Sequence, residues 1–285
     1  MASLREIKDH IGSVRSTLKI TSAMKLVASA KLRKAQQAVE GIRPYSEALS
    51  EILAAAAGSA AAGFSSGSPV RIQGKVAIVG VSSNSSLCGA FNVNVIRKVQ
   101  ELAAEYNKQG NEVVVYSVGR KMAESMRKAG FPSADYSELV GRCSFDKASA
   151  FAQTLLDAYS DGLYDSVILV YNHFVSTSSQ KVWVEEYLGG EDIVREPVAP
   201  TDDEYIFEPS RGEVLSSLKP LVMRLRIYTV LLDSIAAEHA ARTVAMQAAS
   251  DNAEDLLGSL TLEYNKGRQQ KITAEILDLV GGAQQ

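Results

Sequence analysis

Cysteine, histidine and clustered lysine or arginine carry chemistry by type, and their spacing decides whether this chain uses it. Cys88 and Cys143 stand 55 positions apart. That is neither a disulfide framework nor a metal-ligand pair, and it fits a reducing cytosolic compartment. His10, His173 and His239 are scattered, with no metal-ligand spacing. The segment SSNSSLCGAFN (82–92) follows a strand-like run, where an α/β sheet binds its ligand. It has neither the G-x-G-x-x-G nor the Walker pattern that cradles phosphate. Cys88 is a nucleophile by type, but no Cys-His arrangement accompanies it. The segment reads as a structural or contact loop, with a ligand role as the lesser alternative. No catalytic, cofactor-binding or metal site is expected.

The remaining candidate is the basic cluster Lys25, Lys31, Arg33 and Lys34. Residues 1–43 hold nine Lys/Arg against three Asp/Glu, a net of +6. Residues 44–210 carry a net of −8 and residues 211–285 a net of −1. A basic first arm calls for an acidic partner surface. Few aromatics are interleaved and the whole chain is negative, which argues against nucleic acid. The start, MASLREIKDH, has no signal-type apolar stretch, and no run approaches the roughly 20 apolar residues of a spanning helix.

Two long helices hold most of these residues. Ser3 and Glu6 form an S-x-x-E capping box. Leu4, Ile7, Ile11, Val14, Leu18, Thr21, Lys25, Ala28, Leu32, Ala35, Val39 and Ile42 then recur in steps of three and four, a heptad seam. Pro44 is expected to kink this helix, which resumes and ends near Gly58, before a flexible connection. A second box, Ser210 and Glu213, opens the last helix, with Pro220 as another kink. Its seam runs Leu225, Tyr228, Leu232, Ile235, His239, Arg242, Met246, Ala249, Ala253, Leu256, Leu260. His239 reads as a packed polar break. Lys25 and Arg242, charges in a seam, are expected to face a partner.

Between the helices the period changes. Strands are read at 75–81, 111–119, 166–174 and 180–188, the last two as a hairpin on which Trp183 packs. Helices are read at 90–110, 119–130 and 145–162. The alternation predicts a mostly parallel, Rossmann-like α/β layer. The expected fold class is α/β, a long antiparallel coiled coil of the N- and C-terminal helices with that domain inserted between them. The expected domains are 1–57, 70–209 and 210–285. At 1.5 Å per residue the last helix is roughly 108 Å long and the first roughly 80 Å. The excess, about 25 Å of rise, is a tip bearing Ile272, Ile276, Leu277, Leu279 and Val280. Left bare, such a tip aggregates, so a partner is expected to enclose it.

The stretches ITSAMKLVASAKLRKAQ, SSLCGAFN and AAEHAARTVAMQAASDNAEDLLGSLTLEYNKGRQQKITAEILDLVGGA closely resemble the gamma subunit of F-type ATP synthase, bacterial type. The resemblance covers both helices nearly end to end and the middle more loosely. It implies a central rotor shaft in the hexamer of alpha and beta subunits, with the α/β domain against epsilon and the c-subunit ring. Proton flow would turn the shaft and drive the catalytic beta subunits through their states, with no bond chemistry or cofactor in the shaft itself. It implies a peripheral position on the cytoplasmic face of the bacterial inner membrane. By matching position, Met24, Lys25, Arg242, Gln269, Thr273 and Glu275 are the implied contacts with the hexamer, whose facing loop is acidic in this family. Where the family has Asp-Arg-Gly before LCG, this chain has Asn84-Ser85-Ser86. A cysteine pair of the chloroplast regulatory type is absent. Two other classes stay open: a nucleotide- or metabolite-binding enzyme with a helical dimerisation arm, and a nucleic-acid-binding coiled coil.

Overall fold

The structure is a computed structural model that describes residues 3–57, 74–189 and 205–282. The connection read at 58–69 lies outside the described residues. Two compact units form: Ser29–Ala241, and Met1–Ala28 with Arg242–Gln285. Helices α1 (Leu4–Ala57) and α6 (Arg211–Gly282) contribute a segment to each.

The larger unit holds β1 (Lys75–Val81), α2 (Phe91–Lys108), β2 (Glu112–Val118), α3 (Arg120–Ala129), β3 (Ser133–Asp135), α4 (Glu138–Gly141), α5 (Phe145–Ser160), β4 (Ser166–Ser176) and β5 (Ser179–Gly189). The sheet order is β3-β2-β1-β4-β5. All neighbours are parallel except β4 and β5, which form the expected hairpin. Successive side chains of a strand point to opposite faces, and β1 shows why both faces must be covered. Val76 and Ile78 join Val95, Val99 and Leu102 of α2 and Met122 and Met126 of α3. Ala77 and Val79 join Phe151 and Leu155 of α5 and Ile227 and Leu231 of α6. A strand buried on both faces reads as an unbroken apolar run, as KVAIVGV does. β3 and α4 were not anticipated: with three and four residues they are too short to show a period.

In the same unit α1 and α6 run antiparallel. Leu32 and Ala35 meet Ala236 and Ala240, and Leu49 and Leu53 meet Val222 and Leu225. Small residues on both sides let the backbones approach. Pro44 and Pro220 lie inside unbroken helices. Each lacks one backbone N–H, and its neighbours keep theirs.

The smaller unit is an antiparallel pair. Ile7, Val14, Ala253 and Leu260 form its core, with Ile11, Leu18, Leu257 and Tyr264 packed around them. The capping box is formed both ways: Ser3 N–H donates to Glu6 Oε2 at 2.8 Å and Glu6 N–H to Ser3 Oγ at 3.2 Å. The expected seam holds with one slip. Leu256 is exposed and Leu257 takes its place, because the step after Ala253 is four residues. At Gly267 α6 still lies against α1; a Cβ there would lie 3.0 Å from Leu4 Cδ2.

Glu185 on β5 is 1% exposed and takes both guanidinium arms of Arg226 on α6, with Tyr171 Oη donating to it at 3.3 Å. Burial alone would lower the Arg226 pKa, but the bonds to Glu185 outweigh it and hold the guanidinium charged. Glu185→Ala strands that cation and should lower the unfolding free energy by about 3 kcal/mol. Joint replacement, Glu185→Leu with Arg226→Met, should recover most of the loss. Urea denaturation of both variants checks this.

Candidate functional site

The loop after β1 is the first place to look for a ligand, because the sheet order reverses between β1 and β4. There the loop packs against α6. Cys88 and Phe91 pack against Ala237 of α6, with Phe174 and Ala241 beside them. Cys88 is 1% exposed, and Asn92 Nδ2 donates to its Sγ at 3.2 Å. Ser83 and Asn92 bond to each other within the loop. Burial pushes the second thiol, Cys143, up to about 11, away from the reactive thiolate at neutral pH. Asn84 is held internally: its Nδ2 donates to Ser137 O at 2.9 Å and its Oδ1 accepts from Arg120 N–H at 2.9 Å. Gly119, with φ at +109°, makes the turn that brings α3 against Ser82, a conformation closed to other residues. The loop is a structural joint. Among the described residues no three metal-ligating side chains gather, and no helix is long and apolar enough to cross a membrane.

A second concavity, about 380 Å³, lies between α1, the β4–β5 hairpin and α6. Its charged groups are already matched: Arg43 with Glu47, His173 with Asp233 at 2.6 Å, and Arg226 with Glu185. Burial pushes the Asp233 carboxyl up, against the pull of His173 and of Phe174 N–H. Trp183 packs on His173, ring centres 5.6 Å apart. Its charged side chains are thus engaged by one another.

Exposed apolar side chains also line the helical pair of the smaller unit. Thr21, Lys25 and Ala28 form the seam toward α6: Thr21 Oγ1 and Ser250 Oγ are 2.8 Å apart, and Lys25 Nζ donates to Gln247 Oε1 at 2.7 Å. Lys25, expected to face a partner, gives one of its donors to an amide of its own chain. One position earlier, Ile20, Met24 and Val27 repeat the same four-three step. Ile20 and Val27 are exposed, and Met24 is half-buried between them. Leu26 is 68% exposed and Leu262 on α6 is 73% exposed. One partner helix covers one stripe, so this second stripe stays bare. The sequence signal was there, in apolar residues off the seam. Arg242 is buried.

Beyond Gly267, α6 continues for about 15 residues, roughly 22 Å. Ile272, Ile276 and Leu277 are 47%, 54% and 65% exposed, as expected of an overhang. The side chains of Leu279 and Val280 lie outside the described residues. Gln269, Thr273 and Glu275 are exposed on the same stretch. Thr273 Oγ1 donates to Gln269 O at 2.9 Å, and Lys271 pairs with Glu275 at 3.8 Å. Both bonds lie within the helix and leave its surface open. The structure thus groups Met24 with Lys25, and Gln269 with Thr273 and Glu275.

Comparison with known proteins gives one family. The family model described as ATP synthase matches residues 3–285. An ATP synthase gamma chain of Phocaeicola vulgatus is 47% identical, over 99% of both chains. One from Bacteroides fragilis is 45% identical, again over 99% of both. Among solved structures, a chain of the Euglena gracilis mitochondrial ATP synthase is similar at TM-score 0.69 with 19% identity, covering 99% of this chain and 93% of that one. A chain of the Tetrahymena thermophila mitochondrial ATP synthase, from its central stalk and c-ring, has TM-score 0.58 and 24% identity, over 81% of this chain and 99% of that one.

If the overhang packs on nothing in its own chain, polar residues there should leave stability untouched. Ile276→Asn with Leu277→Asn should change the unfolding free energy by no more than about 0.5 kcal/mol, while reducing self-association of the isolated chain in light scattering. Leu260→Ala, inside the paired stretch, should cost about 2–4 kcal/mol.

Proposed function

The chain belongs to the ATP synthase gamma-chain family, and on that premise we propose that it is the central rotor shaft coupling proton flow to conformational cycling of catalytic beta subunits. The observation that supports this most directly is α6 beyond Gly267, where Ile272, Ile276 and Leu277 stand exposed among the described residues. Such a surface is stable only inside a sleeve, and a hexamer of alpha and beta subunits supplies one. The bare stripe Ile20–Met24–Val27 offers a second bearing surface. The family's contact positions, Met24, Lys25, Arg242, Gln269, Thr273 and Glu275, fall on these two stretches or on the seam beside them.

In this reading the helices at 1–57 and 210–285 are the shaft and the segment 70–209 is its foot, resting on epsilon and the c-subunit ring. The chain holds its place on the cytoplasmic face of the bacterial inner membrane through those partners. Bond chemistry belongs to the beta subunits. What the shaft contributes is asymmetry: an apolar, off-axis surface presented to each beta subunit in turn.

The chain should therefore co-purify with alpha and beta subunits from detergent-solubilised membranes; recovery only as a free monomer would sink the reading. Met24→Lys sets a second cation beside Lys25 in the bare stripe, and like charges or an unpaired buried one cost several kcal/mol at such a contact. It should cut proton pumping per ATP hydrolysed by about half or more, measured by fluorescence quenching in inverted vesicles beside the hydrolysis rate.

A further inference from the structure

Charge is segregated in the α/β layer. Residues 44–210 hold thirteen Lys/Arg against twenty-one Asp/Glu. Helix α3, RKMAESMRKA, holds four of those cations, Arg120, Lys121, Arg127 and Lys128, and one of the acids, Glu124. At 3.6 residues per turn, Arg120, Glu124, Arg127 and Lys128 share one face, and Lys121 stands at its edge. The opposite face is fixed: Met122, Ala123 and Met126 are buried, the two methionines in the core with Val95, Val99 and Val115. The loop after β1 holds the start of the helix. Arg120 N–H donates to Asn84 Oδ1 at 2.9 Å, Lys121 N–H to Ser83 O at 3.2 Å, and Met122 N–H to Ser82 Oγ at 2.9 Å. The basic face is therefore presented on a firm support, with Arg120, Arg127 and Lys128 exposed.

Its first turn runs against helix stability. A helix N-terminus carries a positive partial charge and favours acids there. The first turn of α3 has no acid and carries Arg120 and Lys121 instead. Several cations draw on Glu124 at once. The bond from Lys121 at 2.9 Å, and then the charges of Lys121, Arg120 and Lys128, hold its carboxyl below the usual range. One carboxylate among four cations leaves the face at a net of +3. An arrangement that opposes the dipole and repels itself points to something outside the chain.

We propose that the basic face of α3 is an electrostatic contact for an anionic bilayer surface, taking the phosphate headgroups of acidic lipids. A stable protein partner asks for an apolar centre inside a polar rim. Residues 94–144 are all described, and none of them exposes a large apolar side chain. A charged lipid surface needs no such centre: clustered Lys and Arg are drawn to it, and each cation adds to the pull. The forks of Arg120 and Arg127 match phosphate oxygens in pairs, and Lys121 and Lys128 act as point charges. The inference rests on the shaft reading for the place where such a surface is met, at the foot of the shaft. Headgroups diffuse, and the attraction is tied to no single partner atom. Such a contact holds the foot to the membrane plane without fixing its angle.

The test is sedimentation of the full chain with vesicles of phosphatidylcholine, alone or with about one-third phosphatidylglycerol. The chain carries Lys31→Gln, Arg33→Gln and Lys34→Gln throughout, so that the basic arm of α1 does not dominate binding. Binding should require phosphatidylglycerol and fall steeply between about 50 and about 300 mM salt. Arg127→Gln with Lys128→Gln should lower the partition coefficient about tenfold or more. Lys108→Gln with Lys181→Gln takes the same charge from α2 and β5, and should change it less than about twofold. Equal loss in the two variants, no loss in the first, or binding indifferent to phosphatidylglycerol overturns the inference. If the first variant does not fold, Lys128→Gln alone is read on the same criterion. A chain that co-purifies with alpha and beta subunits but ignores anionic vesicles keeps the shaft reading and loses this one.

Discussion

One stretch of α6 is closed in on every side, and much of the larger unit follows from that. Val222, Leu225, Ile227, Val230, Leu231, Leu232, Ala236, Ala237 and Ala240 are buried, and they do not share a face. A helix that is apolar all round has to be enclosed all round. Here the sheet and α5 take one side, α1 takes another, and the loop after β1 closes the rest through Cys88 and Phe91. The same enclosure packs the loop after β1 against α6.

The polar residues of that stretch follow from the same constraint. A charge inside an enclosed helix costs several kcal/mol unless it is matched and bonded. Arg226 has Glu185, Asp233 has His173 and a backbone N–H, and Arg224 has an amide. Each partner sits on the layer. What would be a defect in an isolated coiled coil is here a directional joint.

Much of this was legible in the chain. The capping boxes, the heptad steps and the strand–helix alternation are local patterns, each written within a few turns of backbone. The exposed apolar tip was legible because helix length can be counted. What escaped reading was either too short or too distant. β3 and α4 are shorter than one period. Leu256 and Leu257 differ by a single rotation of 100°, which a pattern of three and four cannot fix after a four-residue step. The pairs Glu185–Arg226, His173–Asp233 and Gln153–Arg224 are 41, 60 and 71 positions apart, so only the fold could join them. The bare stripe Ile20–Met24–Val27 was visible as apolar residues beside a seam already complete, and it passed as surface.

The separation of the paired helices bears on how the molecule is made. Thr21 meets Ser250, 229 positions later. At about 5–20 residues per second of synthesis, α1 waits on the order of 10–45 s for its mate. For that interval its seam and its second apolar stripe are both open to water. Contact order this high slows folding. The α/β layer, complete in sequence before α6 appears, is then the template on which the returning helix is laid.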